Sequence, residues 1–240
     1  SATGSTAYAY LVDTVGPGAP AVQIMEDADD DGRLNAAEIS GVANVRVTLP
    51  GNALAGDTLT VSDGTATQTF VLSQFQIDNG YVSTIFAPPA DGGTLTIIAS
   101  LADLAGNVSP SGTDSATRDS TLPLANPVAA SGVEDQATPI VVVLNASDSL
   151  PGSGVASFRL SGLPANGTLY TDAAMTNLAS TAETYTAAVD GTFSLHFKPA
   201  TDWNGSTGFS YVAVDAAGNV SPTAVASINV TAVTDIVGDS

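Results

Sequence analysis

The sequence predicts an all-β protein made of two tandem antiparallel β-sandwiches, and three observations lead there. Apolar residues recur at every second position in short runs. Turn signals such as Pro50-Gly51, Asp63-Gly64, Asp91-Gly92-Gly93 and Asp190-Gly191 separate the runs, at the spacing of roughly 8–12 residues expected for sandwiches. Finally, the block Asp103-Leu-Ala-Gly-Asn-Val-Ser-Pro110 recurs as Asp215-Ala-Ala-Gly-Asn-Val-Ser-Pro222. A single repeat at that distance marks tandem domains rather than a solenoid.

Residues 1–13 carry Tyr8 and Tyr10 in alternation. They read as a strand that ends a preceding repeat or pairs locally. Domain one then spans 14–121. Pro20–Ile24 alternates as a strand, followed by Val45, Val47 and Leu49, then Leu59 and Val61, then Leu95 and Ile97. Domain two spans 122–240 and includes a C-terminal linker. Its strands centre on Ile140–Leu144, on Phe193, Leu195 and Phe197, on Val212 and Val214, and on Ile228 and Val230. No segment sustains a helical period; Leu34–Ser40 has room for one helical turn. The sequence reads as a piece of a longer array.

Net charge is −19, from 24 acidic and 5 basic residues. Only Glu26, Glu38, Glu134 and Glu183 are Glu, so the acids are overwhelmingly Asp, a turn-former and oxygen ligand. Nucleic acid is excluded as a partner because nothing neutralises phosphate, and an anionic membrane surface is disfavoured for the same reason. With no Cys there are no disulfides, thiolate nucleophiles or thiolate zinc sites. No apolar run approaches the roughly 18–20 residues of a spanning helix, and SATGSTAYAY has no basic region followed by an apolar core. Cations are the favoured ligands.

The sharpest motif is Asp27-Ala-Asp29-Asp30-Asp31-Gly32-Arg33-Leu34-Asn35-Ala-Ala-Glu38, which fits D-x-[DN]-x-[DN]-G-x₅-E at every position. In such a loop Asp27, Asp29 and Asp31 offer one oxygen each and Gly32 permits the sharp turn. The Arg33 carbonyl points inward, Asn35 acts directly or through water, and Glu38 closes the shell with both oxygens. The expected ion is Ca²⁺; the alternative is a solvated acidic turn. The flanks read as strands, so the loop is expected on a sandwich rather than between two helices.

Asp103 and Asp215 open the two Asp-x-x-Gly-Asn turns, which suit an Asx turn with Gly at positive φ and also expose oxygens for metal. Glu134 starts domain two and Asp148 ends a strand. Strand ends at one pole are expected to bring Glu134, Asp148 and Asp215 together. Asp13, Asp119 and Asp235 lie at predicted junctions.

A catalytic reading finds little support. The lone His196 faces outward in Phe193-Ser-Leu-His-Phe-Lys198, and no P-loop or His-Glu-x-x-His motif occurs. The expectation is a protein that is not an enzyme. Trp203, between Asp202 and Asn204, packs at a sandwich edge or serves as a sugar-stacking platform.

These residues also carry a resemblance. Asp13-Thr14, the Asp27–Glu38 loop, Gly56-Asp57-Thr-Leu-Thr and Asp103-Leu-Ala-Gly-Asn resemble bacterial immunoglobulin-like extender domains of giant repeats-in-toxin (RTX) adhesins. Glu134-Asp135, Ser161-Gly-Leu-Pro-Ala-Asn-Gly-Thr-Leu-Tyr170, Phe197-Lys-Pro-Ala-Thr-Asp-Trp-Asn-Gly205 and Val230-Thr-Ala-Val-Thr-Asp235 resemble the cadherin-like repeat of the same surface proteins. The resemblance implies an immunoglobulin-like sandwich followed by a cadherin-like one, with Ca²⁺ stiffening a stalk that projects an adhesive tip. By the same resemblance Asp27, Asp29, Asp31 and Glu38 are loop ligands, and Glu134, Asp148, Asp215 and Asp235 match cadherin-like ligand positions. Thr234 stands where the family often has Asn. The implied setting is the bacterial cell surface, after type I secretion, as a monomer with neighbouring repeats as partners. A carbohydrate- or peptide-binding role for one domain is the alternative.

Overall fold

A computed structural model describes residues 12–39 and 41–234. They divide into two compact units, one of residues 12–34 and 38–118, the other of residues 35–37 and 119–234. Each unit is two sheets packed face to face around its own apolar core.

The first unit contains β1 (Ala21–Ile24), β2 (Arg33–Leu34), β3 (Ala43–Thr48), β4 (Thr58–Ser62), β5 (Thr67–Val71), β6 (Tyr81–Phe86), β7 (Thr94–Ala102) and β8 (Gly112–Arg118). One sheet has the order β1-β3-β6, the other β2-β8-β7-β4-β5. All pairs are antiparallel except β2 with β8. The alternation seen in sequence is the alternation of burial. Val45 and Val47 of β3 meet Leu59 and Val61 of β4 and Ile97 of β7 in the core, while Arg46 and Thr48 face solvent.

The sequence pattern did not anticipate one element. Helix α1 (Gln74–Asn79) links β5 to β6, and at six residues it is too short to show a period. It is held by its ends. Ser73 and Gln76 form a capping box, and Gly80 closes the helix in the left-handed region at φ 74°.

The second unit contains β9 (Leu124–Asn126), β10 (Val128–Val133), β11 (Ile140–Ser147), β12 (Val155–Leu160), β13 (Gly167–Tyr170), β14 (Thr184–Thr186), β15 (Thr192–Pro199), β16 (Gly205–Asp215) and β17 (Ala224–Thr231). Its sheets run β10-β17-β16-β12-β14 and β13-β15-β11-β9, and β10 pairs β17 in parallel. Phe158, Phe197, Leu144 and Leu195 fill the core. Tyr211 crosses it. Its ring meets Phe158 edge-on at 5.9 Å, and its hydroxyl donates to the carbonyls of Asn126 and Asn145, so one side chain of β16 ties down both β9 and β11 of the opposite sheet.

The repeated octapeptide makes the same structure twice. Ser109 Oγ accepts from Leu101 N–H as Ser221 Oγ accepts from Ala213 N–H, each at 2.9 Å. Gly106 and Gly218 adopt φ 91° and 88°, a region open to Gly without the Cβ clash of other residues.

The stretch after β13 is irregular but anchored. Asp172 accepts from the N–H of Asn177 at 2.7 Å and from the Thr176 hydroxyl at 2.7 Å. Those bonds, the Asn177 N–H foremost and the Thr176 side chain next, hold the Asp172 carboxyl below its usual range. A depressed folded pKa adds stability above the unfolded value of about 3.9, and that stability is lost as pH falls through the folded value. Asp172→Asn is therefore expected to melt lower than the parent at pH 7, with the gap closing below about pH 4. Melts followed by fluorescence of Trp203, the only Trp and a residue packed against this core, test it.

Candidate metal centres

The loop between β1 and β2 curls onto its first carboxylate. Asp27 is 3% exposed, and its two oxygens accept from the N–H groups of Asp31 and Gly32, each at 3.0 Å. Gly32 sits at φ 77°, which the turn requires. Its carbonyl accepts from Thr117 N–H at 2.9 Å, and Leu34 is fully buried, so the loop is anchored to β8 and to the core. The result places carboxylate oxygens of Asp27, Asp29 and Asp31 within 4.8 Å of one another. Burial pushes the Asp27 carboxyl up against the pull of the Gly32 and Asp31 N–H groups, and the charges of Asp31 and Asp30 add to the rise.

The other motif positions, Arg33, Asn35 and Glu38, follow this trio in the chain. Among the described residues Glu38 does not join it within that distance; it sits in the turn at 36–38. Asn35 caps its own turn by accepting from Ala37 N–H at 2.9 Å, in the segment that groups with the second unit. Arg33 is in β2, opposite Thr117.

A second trio forms inside the second unit. Asp119, which precedes β9, Asp148, which follows β11, and Asp215, the last residue of β16, bring carboxylate oxygens within 4.8 Å. Asp119 and Asp215 are each 2% exposed. Every member is oriented by the backbone. Asp119 accepts from Ser153 and Thr121 N–H, Asp148 from Gly154 N–H, and Asp215 from Ala217 and Asn219 N–H. The Asn219 amide bridges two members, donating to Asp215 Oδ2 at 2.9 Å and to the Asp119 carbonyl at 2.8 Å. Burial pushes the Asp215 carboxyl up, the bonds from Asn219 oppose this, and the charge of Asp119 reinforces it. Gly152 leaves room for the Asp148 carboxylate: a Cβ there would fall 2.2 Å from Asp148 Oδ1.

The expected grouping of Glu134 with Asp148 and Asp215 is overturned. Glu134 follows β10, where β16 begins at Gly205, whereas Asp215 ends that strand. Eleven residues of strand put them roughly 34 Å apart. Glu134 is buried, and its oxygens accept from Val233 N–H at 2.9 Å and Asn204 Nδ2 at 3.0 Å, tying the two ends of the unit's chain together. Asp235 lies outside the described residues.

Asp103 repeats the Asp215 turn without its partners. Asn107 donates to both Asp103 oxygens, at 2.8 and 2.9 Å, and to the Asp13 carbonyl at 3.2 Å. The Asn107 side chain foremost holds the Asp103 carboxyl below its usual range. Among the described residues Asp103 belongs to no group of three carboxylates.

Trp203 is partly buried against the core of the second unit, and its ring lies over Gly205. His196 lies on β15 between the buried Leu195 and Phe197 and is itself half-buried. No described helix is long and apolar enough to cross a membrane.

No protein-family model matches the chain, and no curated protein does. Solved structures of similar form include fibronectin(III)-like modules of Clostridium thermocellum CbhA (16% identity, 88% of this chain, 94% of that one, TM-score 0.45). A structure concerned with host cell surface retention of a 1.5-MDa bacterial ice-binding adhesin is another (19% identity, 90% and 65%, TM-score 0.37). A third is a tetra-tandem repeat in the extending region of a large adhesion protein (20% identity, 89% and 50%, TM-score 0.34).

Proposed function

We propose that this chain is a calcium-stiffened spacer of a large secreted bacterial adhesin, with neighbouring repeats of the parent protein as its partners. Its work is mechanical, not catalytic, and it acts as a monomer. The observation that carries the proposal is the trio Asp119, Asp148 and Asp215, two of whose members are buried. Two like charges 4.8 Å apart repel by about 3.5 kcal/mol at an effective dielectric of ~20. Three carboxylates brought together at strand ends, two of them buried, suit a shared cation. All-oxygen donors of this kind suit a hard divalent cation, and extracellular sites bind Ca²⁺ at about 10⁻⁴–10⁻³ M. The Asp27–Asp29–Asp31 loop, with Asp27 buried and the other two exposed, supports the same reading. The assignment to an adhesin stalk, to the bacterial surface and to type I export rests on the resemblance of the sequence motifs to RTX adhesin repeats.

In mechanism, each ion neutralises a trio, and at Asp119, Asp148 and Asp215 it also cross-links chain segments that are distant in sequence. Calcium at 100 times its Kd adds about 2.7 kcal/mol per native-only site. A unit of this size melts roughly 10 °C higher for that gain. The test is a melt in millimolar calcium and in excess chelator, with small-angle scattering on both samples. The proposal expects the higher melting temperature and a narrower distance distribution in calcium; identical curves would overturn it.

A further inference from the structure

We propose that Asn166 is a site of spontaneous covalent modification, where the backbone nitrogen of Gly167 displaces ammonia from the Asn166 side chain and leaves aspartate or isoaspartate. The chain has three Asn-Gly pairs, Asn79-Gly80, Asn166-Gly167 and Asn204-Gly205. Glycine has no Cβ to shield its N–H, so each pair has the sequence for this reaction. The structure disarms two of them. Gly80 N–H donates to the carbonyls of Gln76 and Ile77, at 2.9 and 3.1 Å, so its nitrogen is engaged. The Asn204 side-chain amide donates to Oε2 of the buried Glu134 at 3.0 Å, which holds it in place.

Asn166 has neither restraint. It is exposed, and among the described residues its side chain makes no hydrogen bond. Gly167 opens β13 opposite Pro199 of β15. Ala200 N–H donates to the Asn166 carbonyl at 3.0 Å. Asn166 and Ala200 are therefore a hydrogen-bonded pair, and Gly167 and Pro199 form the non-hydrogen-bonded pair beside it. Gly167 N–H accordingly points away from β15, and Pro199, which has no N–H, fits the same place in the ladder. The glycine is fixed by packing: a Cβ at 167 would lie 2.4 Å from Phe197 Cζ and 2.5 Å from the Lys198 carbonyl oxygen. The core thus keeps beside Asn166 the residue that leaves it most reactive.

The reaction balances with water alone. The Gly167 nitrogen bonds to Asn166 Cγ, its proton passes to the side-chain nitrogen, and that nitrogen leaves as ammonia. Water then opens the cyclic imide at either carbonyl. One opening gives aspartate. The other gives isoaspartate, whose main chain runs through Cβ and Cγ. Both products add a negative charge to a chain already at −19. Isoaspartate also lengthens the main chain where β13 begins and replaces the carbonyl that Ala200 N–H holds.

The test is incubation of the full chain, folded and in calcium, at mildly alkaline pH for several weeks. Peptide mapping by mass spectrometry then reads all three pairs in the same molecule. Asn166 is expected to convert several times faster than Asn79 and Asn204, into resolvable aspartate and isoaspartate forms. A parallel incubation in denaturant removes the structural differences, and there the three rates are expected to converge. An Asn166 that stays intact in the folded chain overturns the proposal, as does Asn79 or Asn204 keeping pace with it. So does a lead of Asn166 that is equally large in denaturant, because the sequence and not the fold would then select it.

Discussion

Asp148→Asn is expected to raise the melting temperature of the calcium-free protein and to abolish most of the calcium-induced rise in the second unit. Asp148 Oδ2 accepts from the Gly154 N–H at 2.8 Å. An asparagine can keep that bond with its oxygen and turn its amide toward Asp119 and Asp215. One repelling charge leaves, and a donor replaces it. Without calcium this relieves the trio and shifts melting up by a few degrees. With calcium the site has lost a charge and a ligand, and the gain of about 2.7 kcal/mol, roughly 10 °C, is lost with it. Gly152→Ala is the companion variant. It keeps all three carboxylates, but its new Cβ falls 2.2 Å from Asp148 Oδ1 and forces that side chain out. It should weaken the calcium response without a gain in the calcium-free state. A calcium increment unchanged in both variants would mean that no ion binds there.

Tyr211→Phe is the second large effect. The ring stays and continues to pack on Phe158; only the hydroxyl goes. The carbonyls of Asn126 and Asn145 then lose a shared donor at the seam between β9 and β11. Taking a donor from two half-buried carbonyls costs about 1–2 kcal/mol. Tyr211 is fully buried, so Tyr211→Ala adds a cavity and costs about 3–5 kcal/mol in all. The loss is expected with and without calcium alike, since Tyr211 sits in the core and not in either trio. Chemical denaturation followed by Trp203 fluorescence measures it; a Phe variant as stable as the parent would remove the hydroxyl from the account.

Much of this architecture was legible because its signals are local. Alternation at Val45 and Val47, or at Leu195 and Phe197, is a property of one strand and needs no partner to be read. The Asp27–Gly32 turn is likewise closed by its own neighbours, and the octapeptide repeat announced two equivalent turns. What escaped was non-local. The parallel pairing of β10 with β17 joins residues about a hundred positions apart, and nothing in either strand specifies it. The placement of Asp119 beside Asp148 and Asp215 depends on which strand ends share a pole. The signal existed: Asp13 precedes the first Asp-x-x-Gly-Asn block as Asp119 precedes the second. In both copies the turn asparagine donates to that residue's carbonyl. Glu134 was misplaced for the complementary reason. A carboxylate at a strand end looks the same in sequence at either pole, and β16 spans the whole unit between the two. Helix α1 left a readable trace as well, Ser73-Gln-Phe-Gln76, whose ends form the box that nucleates it.

The central claim is that these carboxylate groups hold calcium, and titration calorimetry on chelator-stripped protein addresses it most directly. The account predicts saturable binding by the parent chain, loss of one class of sites with Asp148→Asn, and loss of another with Asp27→Asn. No heat on titration into the millimolar range, with melting unchanged by calcium, would contradict it and leave both trios as solvated acidic turns.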